Sequence, residues 1–144
     1  MNSCRRHRNV TWASQIIAAI ILLQTLFYKF TGSAESFYIF TQLGAEPWGR
    51  IGAGIVELIA AILLLSGRFS LWGGLLASGL MIGALGSHLT RLGIVVKDDG
   101  GLLFTLAWIV LVSAAMVVWL RRSQLPFIGE RFAQMSCGTS ADTT

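Results

Sequence analysis

The sequence predicts an all-α membrane protein: a four-transmembrane-helix bundle with a short amphipathic helix in the first outer loop. Three observations carry this. Of the 144 residues, 54% are hydrophobic and only 12% are charged, against about 25% charged in a soluble domain. Mean hydropathy is +0.68. The charges gather at the edges of four apolar runs, each near the roughly 20 residues that span a bilayer.

The runs are Val10–Phe30, Trp48–Leu65, Leu71–Leu92 and Leu102–Leu120. The first follows Arg5, Arg6 and Arg8, as a signal peptide would. Its apolar core, however, is longer than the roughly 7–15 residues of a signal peptide, and it carries Gln24, Thr25 and Lys29, so it reads as a retained span. Between the first two runs, Ser33 suits a helix start and Gly44 a helix end. Phe37, Tyr38, Phe40 and Leu43 between them give an apolar surface, which predicts an amphipathic helix lying on the outer face. The second run is the shortest and leans on Trp48 and Arg50 at its flank. Ile94–Gly101 forms a second outer loop. The domain reading is therefore a basic N-terminus over 1–9, a membrane domain over 10–122 and a polar tail over 123–144, unstructured from about Gln134.

Arginine distribution orients the chain. Arg5, Arg6, Arg8, Arg68, Arg121, Arg122 and Arg131 fall on one side. The other side has Lys29, Arg50, Arg91 and Lys97, diluted by Glu35, Glu46, Asp98 and Asp99. The first side is expected to be cytoplasmic and to hold both termini. The net charge of +4 comes from these short flanks, which suit anionic lipid and not nucleic acid.

Glu57 is the main functional clue. A carboxylate at mid-bilayer costs roughly 2.5–3.5 kcal/mol, so it faces protein or water and has a partner. Ala53, Gly54, Ala60 and Ala61 share its face, a surface made for close helix contact, with Arg50 two turns outward. Candidate partners on the outer half are Lys29, His88 and Tyr28, with Arg91 on the His88 face. Each also has a plainer reading: Lys29 and Arg91 as snorkelling cations, and Glu57 and His88 as structural hydrogen-bonding groups. Gly79, Gly83 and Ser87, spaced by four, point to a tight bundle.

The residue inventory excludes several chemistries. Cys4 and Cys137 lie in opposite tails, outside the spans, so no membrane dithiol is available. One membrane histidine cannot make a bis-histidine haem, and no cysteine set suits an iron–sulfur cluster. No dinucleotide or phosphate-loop motif occurs, and no Ser-His-Asp set is evident. No intrinsic cofactor, no metal site and no catalytic residue is assigned.

Lys29 with Thr31-Gly32, Leu43-Gly44 with Pro47, Gly54-Ile-Val-Glu57, Gly67-Arg68, Gly83-Ala84 with His88, and the run Lys97 to Phe104 together resemble the DoxX family of small bacterial membrane proteins. The resemblance covers about Val10 to Arg122. It implies a four-helix bundle in the bacterial inner membrane, with Lys29, Glu57 and His88 at the family's polar positions. It also implies kinship with DoxD subunits, which are linked to thiosulfate oxidation with a quinone acceptor, and with proteins associated with membrane oxidoreductase complexes. The leading expectation is a non-enzymatic subunit or assembly partner of a membrane-associated oxidoreductase. The alternatives are a quinone- or lipophile-binding redox component and a small proton-coupled transporter, which at four spans would need a homo-oligomer to frame a pathway.

Overall fold

The computed structural model describes residues 2–97 and 99–122, with side chains from Arg6 onward. The tail expected to be unstructured lies outside the described residues, as do Asp98, Cys137 and the side chain of Cys4. The described residues form five α-helices: α1 (Asn2–Thr31), α2 (Ala34–Gln42), α3 (Trp48–Leu65), α4 (Ser70–Ser87) and α5 (Leu102–Leu120). α4 continues through a π turn over His88–Leu92. The stretches long and apolar enough to cross a membrane are Arg6–Thr31, Trp48–Leu65, Ser70–Leu92 and Leu102–Leu120. The chain is a multi-pass membrane protein, with large residues such as Ile20, Phe27, Ile62, Ile82 and Val112 pointing outward.

α1 starts at Asn2, eight residues before the expected span. Bilayer thickness limits the apolar part of a helix and not the helix itself, and the arginines ahead of Val10 are good helix formers. Thr11 Oγ1 donates to the His7 carbonyl at 2.8 Å within this extension. α1 ends in a Schellman motif: Gly32 has φ +69° and the Ser33 N–H reaches the Tyr28 carbonyl at 3.0 Å.

Ser33 then caps α2, accepting from the Ser36 N–H at 3.3 Å. A second Schellman motif closes α2, with Gly44 at φ +68°, Gly44 N–H to Thr41 O at 3.0 Å and Ala45 N–H to Phe40 O at 2.8 Å. The inward face of α2 is Ser36, Ile39, Phe40 and Leu43. Phe37 is exposed, and Tyr38 turns to Lys97, whose Nζ lies 5.7 Å from the ring centre. At helical spacing residues 36, 39, 40 and 43 share one stripe and 37 does not.

The four long helices pack as a ring in the order α1, α3, α4, α5, with α5 closing onto α1. The half of the ring that carries the termini is tightly packed. Ala18 and Ala19 of α1, Ala60, Ala61 and Leu64 of α3, Ala77 of α4, and Ala114 and Val117 of α5 are buried there. Small side chains bring the backbones close, in keeping with lipid-embedded packing. At Gly73 a Cβ would lie 2.5 Å from the Leu64 backbone nitrogen, and at Gly74 one would lie 3.2 Å from the Ala114 carbonyl oxygen. The glycines expected to mediate contact behave differently: Gly79 and Gly83 have nothing within 4 Å of a built Cβ. Their side of α4 faces a cavity and not a neighbouring helix.

This contrast gives a direct test. Gly73→Ala forces backbone apart and should destabilise the protein by about 1–3 kcal/mol. Gly79→Ala meets open space and removes a helical glycine, so it should be neutral or stabilising by up to roughly 1 kcal/mol. Thermal unfolding of the two variants in detergent checks the prediction. Equal losses would mean that the halves do not differ in packing.

Candidate functional site

Toward α2 the ring holds a partly open cavity of about 1100 Å³, whose lining runs out to the exposed Trp72, Leu75 and Leu102. Leu22, Met81, Ala107 and Val110 line its buried side and α2 caps it. α1 contributes Thr25 and Lys29, α3 contributes Ala53 and Glu57, and the α4 wall is smooth at Gly79 and Gly83.

Glu57 is 4% exposed and is held from α1. Lys29 Nζ lies 2.7 Å from Oε1 and 2.9 Å from Oε2. Thr25 Oγ1 stands 3.4 Å from Oε2, its shorter bond going to the Leu22 carbonyl at 2.9 Å. Residues 25 and 29 are one turn apart and so share a face. The missing side chain at Gly54 lets Phe30 and Leu26 close on α3, at 3.2 and 3.4 Å from a built Cβ. That approach brings the ammonium within reach of the carboxylate.

Arg50 secures the same corner. Its Nε donates to Glu46 Oε1 and Oε2 at 2.8 and 3.1 Å, and its Nη1 donates to the Lys29 carbonyl oxygen. A guanidinium thus satisfies a carbonyl that the end of α1 leaves open.

His88 is 5% exposed and lines the same cavity, but its bond is to its own chain end and not to Glu57. Nδ1 lies 2.9 Å from the Gly93 carbonyl oxygen, and the Gly93 N–H returns to the His88 carbonyl at 2.8 Å. This reciprocal pair closes the π turn, a feature that often marks functional positions. The Phe104 ring meets the imidazole edge-on at 5.8 Å. Tyr28 lines the cavity as a half-exposed ring packed against Phe27 at 5.9 Å. Arg91 is exposed and does not line the cavity. The π turn accounts for this, because it rotates residues beyond His88 off the α-helical stripe on which Arg91 was expected.

Asp99 also lines the cavity and organises the loop before α5. Oδ1 accepts from Val96 and Gly101 N–H at 2.8 and 2.9 Å, and Oδ2 from Leu103 N–H at 3.1 Å. Partial burial opposes ionisation, yet these donors, with a smaller contribution from nearby His88, outweigh it and hold the carboxyl below its ordinary value of 3.8. Among the described residues no group of three or more His, Cys, Asp or Glu is placed to hold a metal ion.

The model of the DoxX-like family matches residues 13–116. The chain belongs to the DoxX-like family. No curated protein and no solved structure matches the chain. The family segment takes in every cavity-lining residue.

A second polar cluster of the family fold escaped the sequence reading. Gln15 and Ser70 are fully buried. With its amide oxygen turned toward them, Gln15 accepts from Arg121 Nη2 and Nε at 3.2 and 3.1 Å and from Ser70 Oγ at 3.0 Å. Arg121 Nη1 also donates to the Gly67 carbonyl. The signal was present in the sequence: an amide in an apolar run needs a partner just as Glu57 does.

Two outcomes are expected. Lys29→Met leaves a carboxylate buried alone and should cost roughly 3–5 kcal/mol. Glu57→Gln should cost less, because the Lys29 side chain is 17% exposed against 5% for Glu57 and can turn toward water. The double variant should be more stable than Lys29→Met; simple additivity in a double-mutant cycle would refute the coupling. For Asp99, a folded pKa below the unfolded one means that its stabilisation is complete above the ordinary value and is lost as pH falls through the folded one. Asp99→Asn should therefore lower the melting temperature at neutral pH, and the gap to the wild type should close on acidification below about 3.8. A gap that stays constant would show that the carboxylate charge is not what matters.

Proposed function

We propose that this protein is a lipophile-binding component of the membrane, in which the hollow half of the bundle houses an amphipathic molecule of the quinone or lipid class. One observation carries the reading: an apolar chamber of about 1100 Å³ with a polar group at Lys29, Glu57 and His88. Ligand sites are typically concave, apolar and of roughly 300–1,000 Å³, with a few placed polar groups. Gly79 and Gly83 keep the chamber open, since their wall has no side chains to fill it.

The other expectations fit this geometry less well. A subunit that only docks an oxidoreductase needs no chamber. A proton-coupled transporter needs a route past the packed half, where the alanine layer and the Gln15, Ser70 and Arg121 cluster stand in the way. We place the protein in the bacterial cell membrane with both termini cytoplasmic, on the arginine asymmetry and the family. The chamber then lies in the outer half of the bilayer. No redox step is assigned to the chain itself, and an oxidoreductase partner would act on the bound molecule.

The test is purification in native-lipid nanodiscs followed by mass spectrometry of retained small molecules. The expected result is one lipophile in stoichiometric amount. Gly83→Leu places a side chain where nothing lies within 4 Å, so the variant should fold normally and lose that molecule. A stable Gly83→Leu variant that still retains the molecule would place binding elsewhere.

A further inference from the structure

We infer that the chamber selects an uncharged lipophile with a hydroxyl head, which donates a hydrogen bond to His88 Nε2, and that it rejects anionic lipids. This rests on the lipophile-binding reading and specifies its ligand class.

The first observation is charge. The whole chain carries a net charge of +4, but the chamber has the opposite sign. Among its lining residues, Lys29 is the one cation against Glu35, Glu57 and Asp99, which leaves two net negative charges. The ionic groups at its centre are also committed. Lys29 spans both oxygens of Glu57, and Asp99 is filled by three backbone donors. A phosphate entering here would meet a negative wall, and to have its charge balanced by Lys29 it would have to draw the ammonium away from the buried Glu57.

The second observation is independent of charge. The Gly93 carbonyl oxygen facing Nδ1 at 2.9 Å can only accept, so Nδ1 carries a proton, and in the neutral imidazole Nε2 bears the lone pair. Among the described residues Nε2 has no hydrogen-bond partner, although His88 is 5% exposed and lines the chamber. Nε2 opens to the chamber, where a donor on the occupant can reach it. The Lys29 ammonium has three N–H groups and gives two to Glu57, which leaves one for a ligand oxygen. A hydroxyl donates and accepts at once. A phenolic hydroquinone and a glyceride alcohol share this chemistry; an ether does not supply it, and an anion adds a charge that the negative wall opposes.

The test uses the full chain in nanodiscs with four probes at equal concentration, read by native mass spectrometry. They are 1-oleoylglycerol, the lysophosphatidate with the same oleoyl chain, an alkylhydroquinone, and its dimethyl ether. At least one hydroxyl probe should be retained roughly tenfold better than its charged or methylated counterpart. Which hydroxyl probe binds better identifies the source of the head. Lysophosphatidate bound as well as oleoylglycerol, or ether bound as well as hydroquinone, would overturn the inference while leaving the chamber reading intact. Retention of none of the four would overturn both. In His88→Phe the hydroxyl-over-ether preference should vanish while ether retention persists. Because that variant also removes the bond to Gly93, histidine-ring nitrogen NMR on the wild type gives a second readout. The Nε2 resonance should move on adding the hydroxyl probe and stay in place with the ether. An unmoved resonance with bound hydroxyl probe would remove His88 from the site.

Discussion

A carboxylate inside a bilayer must bring its counter-charge with it, and the pairing of Glu57 with Lys29 sets much of this structure. The two residues sit on adjacent helices, 2.7 Å apart at the closest atoms, so their contact fixes the relative height of α1 and α3. Gly54 is small because Phe30 and Leu26 must close over that contact. Arg50 lies one turn toward the α2 end from Gly54 and ties the end of α1 through the Lys29 carbonyl. Glu46 then balances Arg50. One buried ion pair thereby accounts for the residue types at five further positions around it.

Much of the fold was legible because lipid is a demanding solvent. Spans must be apolar and long, and backbone groups must pair within each helix, so composition and run length locate four helices closely. Ser33 and Gly44 announced α2 through the chemistry of helix ends. What stayed hidden depends on side-chain phase and on packing. A glycine stripe reads the same whether it touches a helix or faces a void, so Gly79 and Gly83 gave no sign that they line a cavity. A π turn adds a residue to one turn and leaves no pattern in hydropathy, so Arg91 was expected beside His88. At the polar site, Glu57 identified itself by its cost in lipid. Choosing Lys29 over His88 as its partner required the three-dimensional distance.

The ring of helices divides its work along its length. Toward the termini, alanines and Gly73 bring backbones into contact, and Gln15, Ser70 and Arg121 join α1, α4 and the end of α5. Toward α2, the same four helices stand apart around open space. The packed half supplies rigidity that the hollow half lacks. The hollow half is held at its rim instead, by Lys29 and Glu57 between α1 and α3, by the His88 and Gly93 pair at the end of α4, and by Asp99 before α5. Tyr38 and Lys97 link the cap to that last loop. Cohesion placed at the rim leaves the centre free of structural duty.

That arrangement separates structural polar groups from a functional one. In Lys29 with Glu57, Gln15 with Ser70 and Arg121, and Asp99 with its backbone donors, each buried carboxylate or amide has its partners inside the protein. Such sets explain folding and require no ligand. Ser78 Oγ is buried without a partner but does not line the cavity. His88 differs from all of these: one ring nitrogen closes the π turn while the other stays unfilled on a residue that borders the chamber. The same side chain is thus fixed by the fold through Nδ1 and open to the chamber at Nε2. A rigidly held ring nitrogen that opens onto an apolar cavity adds little to stability and is well placed to read the head of a bound molecule.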